Sequence, residues 1–395
     1  MNIFPWLTKK DKLMLVFDVG SSSVGGSLFL TQKSGIPKIV KTVREPISLD
    51  ENLNIDKFLF STIKTLDSVA KKIHRSGAGK PEHIFCILSS PWYVSQTRVI
   101  KLEKNTPFLF TSKVADSLIQ KEIALFEEEY LVKYKDAKSP VRSIEFKNIK
   151  TMLNGYETPS PLNQKASDLE MTIFISISPE QVLKKIEETI ERYFHFKDIK
   201  FSSFAMASFA VVRDIYTNSD DFLLIDIGGE VTDISMVKNN TLRESISFPL
   251  GTNFISRRLA SLLRVPLDEA ESLFALFKNR HAGESVVKRL GPAIDALKIE
   301  WLSKFQASLA NLSNDISIPS AIYISVDKDE ADFFCQIIET EQFNQYTLTE
   351  SKFKVIFLGA EIFHGMAAFD GNVVRDSALI IDSIYICRFL INSKK

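Results

Sequence analysis

Cysteine and histidine are scarce in this chain. The three cysteines, Cys86, Cys335 and Cys387, lie far apart, each in apolar surroundings. Thiols placed that way read as buried and unpaired in a reducing compartment, which sets aside a disulfide framework. The five histidines are scattered without the short ligand spacings of a zinc site. No Ser/His/Asp or Cys/His arrangement points to nucleophilic catalysis. Net charge is also missing: 49 Lys+Arg balance 49 Asp+Glu, so no global field draws nucleic acid or an acidic substrate. No apolar run reaches the roughly twenty residues of a membrane span. The N-terminal segment is too short, with charges on the wrong side, for a signal peptide. In it Phe4, Trp6 and Leu7 precede Lys9, Lys10 and Lys12. That reads either as a peripheral membrane contact or, preferred, as a terminus that is free or docks on its own domain.

What is present is an ordinary globular composition, 45% apolar and 25% charged over 395 residues, with 30 phenylalanines to pack between helices and sheets. That length accommodates two domains or more. Two segments stand out. The first is Leu15-Val16-Phe17-Asp18-Val19-Gly20-Ser21-Ser22-Ser23-Val24. The second is Leu223-Leu224-Ile225-Asp226-Ile227-Gly228-Gly229-Glu230-Val231-Thr232-Asp233. Each is an apolar run, then Asp-x-Gly with small hydroxylated residues, then another apolar run, the pattern of a β-hairpin with a carboxylate at the strand end. Glycine lets backbone N–H groups close around an anion such as a phosphate. The carboxylate repels phosphate directly but suits a hydrated divalent cation beside it. A single such turn is most simply a tight turn; two copies imply two similar halves facing across a cleft.

On these residues the chain resembles the actin, heat-shock-chaperone and sugar-kinase superfamily, and within it the FtsA and PilM families. The resemblance spans about Leu13 to Ile386 and is sharpest at the two turns. It implies an α/β, actin-like (ribonuclease H-like) two-domain fold with an FtsA/PilM-type inserted subdomain. Residues 13–90, 171–215 and 366–395 would form the first domain, 91–170 the insertion, 216–255 and 319–365 the second domain's core, and 256–318 its helical subdomain. The sequence itself supports strands at Val24–Leu30, Ile39–Ile47, His83–Leu88, near Thr97–Lys101 and at Met171–Ile177. It supports helices at Ile55–Ile73, Ser112 to about Lys135 and Pro179–Phe194, with Ser178 as cap to the last. Phe201–Val212, rich in small residues, resembles the family's connecting helix at the interdomain hinge. Ala378–Ile391 reads as the last packed helix.

The resemblance also assigns the site. Asp18, Gly20, Ser21, Ser22 and Ser23 would form one phosphate edge; Gly228, Gly229 and Thr232 would form the other. Gly251 and Ser325 would lie near the nucleotide. The cofactors implied are ATP and Mg²⁺, with Asp18 and Asp226 holding the metal through water, and Asp226 or Asp233 polarising a water for catalysis. Three departures weigh against turnover. The Gly-Gly that ends the family's strand is replaced by Ser325-Val326 in the corresponding segment Ala321–Asp327, Glu230 stands in the second turn, and no Gln or acid occurs between Phe201 and Val212. At most a weak Mg²⁺-dependent ATPase is expected. Three functional readings follow. One is an FtsA-like nucleotide-binding adaptor linking division proteins to the inner membrane face. Another is a PilM-like scaffold of a type IV pilus or type II secretion complex. The third is an ATPase with its own substrate. Expected partners are proteins of the division or pilus inner-membrane machinery, with self-polymerisation and peripheral membrane contact as options and no nucleic acid. The expected location is cytoplasmic, at or near the inner membrane face.

Overall fold

The strands that carry the two Asp-x-Gly turns are apolar because they lie in the middle of their sheets. The computed structural model describes residues 11–52, 54–133, 140–278, 281, 283–312, 317–340 and 352–391; the segment bearing Phe4 to Lys10 lies outside them. β1 (Lys12–Val19) and β2 (Ser23–Thr31) form the first hairpin, and β3 (Pro37–Pro46) extends it antiparallel. Helix α1 (Ile55–Arg75) then returns the chain to β4 (His83–Leu88), parallel to β1. Asn54 caps α1 by accepting the Lys57 N–H at 3.0 Å.

The inserted unit follows as β5 (Val94–Phe110), α2 (Ser112–Lys133), β6 (Val141–Leu153), β7 (Tyr156–Glu157) and β8 (Gln164–Pro179). Its four-stranded sheet runs β5-β8-β6-β7. β5 and β8 each extend well beyond the short strands read from the sequence. Their long antiparallel ladder is solvated on part of one face, so the apolar alternation marks only the covered stretch. α3 (Glu180–Phe194) begins after Pro179, which takes the cap position itself. Ser178 does not cap it; its hydroxyl donates to the Trp92 carbonyl at 2.7 Å. β9 (Ile199–Ser203) completes the first sheet beside β4, and α4 (Phe204–Ile215) leads out of it.

The second half repeats the plan. β10 (Phe222–Ile227), β11 (Thr232–Lys238) and β12 (Thr241–Phe248) form the antiparallel run. Helices α5 (Thr252–Leu263), α6 (Leu267–Lys278) and α7 (Glu284–Leu312) follow, before β13 (Ala321–Val326) pairs parallel with β10. α8 (Lys328–Thr340) and β14 (Lys354–Phe357) finish this sheet, whose order is β12-β11-β10-β13-β14. The chain then returns to the first sheet: β15 (Ala368–Phe369) pairs with β3, giving the order β15-β3-β2-β1-β4-β9. It ends in α9 (Ser377–Tyr385), continued as a π-helical turn over Ile386–Ile391.

Four apolar clusters hold these layers. α1 and α3 cover one face of the first sheet, and α4 and α9 the other. The helices of the second half cover its sheet around Trp301 and Phe305, and α2 covers the inserted sheet. This is an actin-like α/β fold: two sheets of matching topology, each with an aspartate one residue before the end of its central strand. Among the described residues no helix is long and apolar enough to cross a membrane.

Candidate functional site

The register brings the two turns together. Asp18 faces Gly25 across the first hairpin, and Asp226 faces Asp233 across the second while lying beside Ser325 of β13. Asp18, Gly20, Ser21, Ser22, Ser23, Asp226, Gly228 and Ser325 all line one interdomain cavity of about 240 Å³. Nucleotide-sized ligands occupy pockets from about 300 Å³ upward. Gly229, Thr232, Asp233 and Gly251 lie outside that lining.

The turns meet each other directly. The Glu230 N–H donates to Ser21 Oγ at 3.1 Å. A Cβ on Gly229 would fall 2.6 Å from the Ser21 carbonyl oxygen, so only glycine permits this approach. Within the turns Gly20 N–H is spent on the Ser23 carbonyl and Gly228 N–H on the Val231 carbonyl. The Trp92 indole N–H donates to the Gly20 carbonyl at 2.8 Å, and the Ser22 carbonyl accepts from Ile47 N–H. The first N–H groups of α5, ordinarily suited to an anion, instead reach the second turn. Thr252 donates to the Gly228 carbonyl and Asn253 to the Gly229 carbonyl, at 2.9 and 2.8 Å. The Thr232 hydroxyl donates to the Leu250 carbonyl at 2.7 Å. Gly251 backs the turn so closely that a Cβ there would lie 2.2 Å from the Gly228 oxygen.

Glu230 points away from the cleft. Its carboxylate receives both Nη groups of Arg257 and the Asn253 amide, each at 2.7 Å. Arg257 Nε donates in turn to the Asp50 carbonyl, fastening α5 to the loop after β3. The carboxylate that the sequence places in the second turn is thus neutralised within the protein.

Arg44 is the residue that sequence reasoning missed. It projects from β3 over Gly25, where a Cβ would lie 2.8 Å from its Nη2. Nη2 donates to Asp18 at 2.7 Å and to Asp376 at 3.0 Å, Nη1 to Ser23 Oγ at 2.8 Å, and Nε to the other Asp376 oxygen. Asp376 also caps α9, accepting Leu379 N–H at 3.0 Å. One guanidinium therefore serves two buried carboxylates. Burial raises Asp376, but Arg44 and the Ala378 and Leu379 N–H groups outweigh it and leave the carboxyl below the usual range. Asp18 lacks those backbone donors, and burial keeps it raised despite Arg44. Burial also pushes Asp226 well up, with Asp233 and Asp18 adding to it and the Ser325 hydroxyl opposing.

This donor set does not fit a hydrated Mg²⁺ as it stands. The Arg44 guanidinium takes one oxygen of the carboxylate that would hold the metal's shell, and burial disfavours the charged form of the second carboxylate. Among the described residues no cluster of three or more His, Cys, Asp or Glu side chains is arranged to bind a metal. Asp233 sits behind the cleft, where Ser247 and Ser90 hydroxyls donate to it.

Known proteins are similar to this chain in part of its sequence and in its fold. The profile of the family "Cell division protein FtsA" matches residues 223–293, from the second turn into α7. The cell division protein FtsA of Neisseria meningitidis serogroup B is 28% identical over 114 residues, a match spanning 28% of this chain and 27% of that protein. A solved chain of the PilM-PilN type IV pilus biogenesis complex superposes with a TM-score of 0.60 at 12% identity, covering 96% of both chains. The ethanolamine utilization protein EutJ from Carboxydothermus hydrogenoformans gives 0.41 at 12% identity, covering 98% of this chain and 92% of that one.

Proposed function

We propose that this chain is an actin-fold scaffold that joins protein partners in a membrane-proximal assembly, with an internal cation rather than Mg²⁺-ATP seated against the acidic groups of its cleft. The observation that carries this reading is the Asp18–Arg44–Asp376 clamp, which puts an internal cation in the metal's place. Gly20 and Gly228 spend their N–H groups within their own turns and Glu230 donates its N–H to Ser21 of the other turn, while the cavity walls carry Asp18, Asp226, Asp327, Glu361 and Asp376 beside Arg44, Lys328 and Arg375.

The inserted unit is the natural partner surface. Exposed large apolar side chains collect on it, among them Leu125, Val132, Phe146 and Tyr156. Two settings for such a scaffold have support. Whole-chain likeness to the PilM chain favours a pilus-type complex. The sequence match within the second half favours an FtsA-like division adaptor. The neighbouring genes discriminate: pilus inner-membrane genes support the first, division genes the second.

The cleft is tested by titrating Mg²⁺-ATP into wild type and Arg44→Ala by calorimetry. No heat at millimolar ATP in wild type is expected. Micromolar binding in wild type, abolished by Asp18→Ala with Asp226→Ala, sinks the proposal and restores a nucleotide switch.

A further inference from the structure

A second recess, of about 400 Å³, opens where the inserted sheet meets the second sheet. β5 and α2 form one wall and β11 and β12 the other, and the Thr97 hydroxyl donates across to the Leu242 carbonyl at 3.0 Å. Asp233 lines it, 8% exposed. Burial raises its carboxyl, and the hydroxyls of Ser247 and Ser90, both donating to it, oppose that and favour the charged form. Ser235 and Ser245 share another hydrogen bond at 2.8 Å.

With those protons committed, the floor offers an incoming group mainly lone pairs, on the carboxylate and on the hydroxyl oxygens around it. Such a floor selects a donor-rich cation. Glu129 also lines the recess, but two Arg98 nitrogens already hold its carboxylate, at 2.8 and 3.0 Å. Asp233, among the described residues, is met only by serine hydroxyls. The walls are partly aromatic, with Tyr93 and Phe126. Arg98 already lies 5.8 Å from the centre of the Phe126 ring, so guanidinium and ring are compatible here.

The geometry points to this recess as the seat of an arginine side chain from a protein partner, its guanidinium set on the Asp233 carboxylate. A polypeptide source is favoured over a free small cation by what adjoins the rim. Leu125 and Val132 of α2 are exposed and form a shallow apolar strip bounded by Glu129 and Lys133, which also border the recess. A segment with arginine in the recess places an apolar neighbour on that strip; a free cation leaves it bare.

The partner's place rests on the scaffold reading, whereas the measurement does not, because neither nucleotide nor Mg²⁺ enters it. Nα-acetyl-L-arginine amide is titrated into the full chain by calorimetry, beside the citrulline amide, which keeps the shape and loses the charge. The arginine compound is expected to bind at least about tenfold more tightly, and Asp233→Asn to weaken it by about the same factor. Lys133→Glu, which turns a rim cation into an anion, is expected to tighten it. Equal binding of the two compounds, or unchanged binding in an Asp233→Asn protein that unfolds at the wild-type temperature, overturns the site. Spermidine binding more tightly than the arginine compound overturns the polypeptide source. Where Asp233→Asn fails to fold, Lys133→Glu decides: unchanged or weaker binding there overturns the proposal.

Discussion

Arg44 brings one positive charge into a space shared by Asp18 and Asp376, and that imbalance governs how single residues respond. Removing it leaves two carboxylates without their cation, one of them 4% exposed. Arg44→Ala is therefore expected to lower stability by about 3–5 kcal/mol in urea unfolding, as for other broken buried pairs. Arg44→Lys should recover little, because an ammonium lacks the planar fork that spans both carboxylates and Ser23. Asp382 of α9 presents the opposite case. It is fully buried, and among the described residues neither carboxylate oxygen has a hydrogen-bond partner. Burial pushes its carboxyl well up, Asp18 adds to this, and Arg44 opposes it. Its folded value lies above its unfolded one, so its contribution to stability is full below about pH 4 and is lost as pH rises through the folded value. Asp382→Asn should accordingly raise the thermal midpoint by a few degrees at neutral pH. It should also flatten the wild-type gain in stability on acidification, and an unchanged pH profile would exclude this account.

At the scale of elements, the two hairpins were legible because everything that defines them is local: β-branched strands, an acidic residue at the strand end and glycines at the turn. The helix at Ile55–Arg75 was legible by periodicity and breakers, and that at Ser112–Lys133 as a charged piece of the region resembling the FtsA/PilM subdomain. What closes the site was not. Arg44 meets Asp18 across 26 positions and Asp376 across 332, and no local pattern encodes either contact. Nor does sequence show that the Thr232 hydroxyl is turned to the Leu250 carbonyl, or that Glu230 is drawn to Arg257. Gly251 illustrates how tightly these elements abut. Its φ of −106° suits any residue, so the need for glycine is purely steric. Gly251→Ala must displace α5 from the second turn, and a loss of more than about 2 kcal/mol is expected from overpacking of this kind.

Across the whole molecule, Glu145 ties three parts together. It lies on β6 of the inserted sheet and is 8% exposed. It accepts from the Ser203 hydroxyl and backbone N–H at the head of α4, from Tyr385 of α9 at 2.7 Å, and from the Ser202 hydroxyl. Glu145→Ala leaves these donors buried without an acceptor. A cost of about 3 kcal/mol is expected, read as a lower unfolding midpoint, while Glu145→Gln should keep part of it. A cost confined to the inserted unit, with the rest of the chain unfolding as before, would show that Glu145 does not couple the parts. The path of the chain adds a temporal constraint. The second sheet is built from one continuous stretch, Phe222 to Phe357, whereas the first is finished only when β15 and α9 arrive. Asp376 and Asp382 come with that last segment. On a ribosome, where N-terminal parts usually fold first, the strands β1 and β3 bearing Asp18 and Arg44 must wait for the final stretch to be synthesised. During that interval Arg44 faces Asp18 alone, and chaperones would encounter a first sheet lacking β15 and its α9 cover beside a second that is already complete.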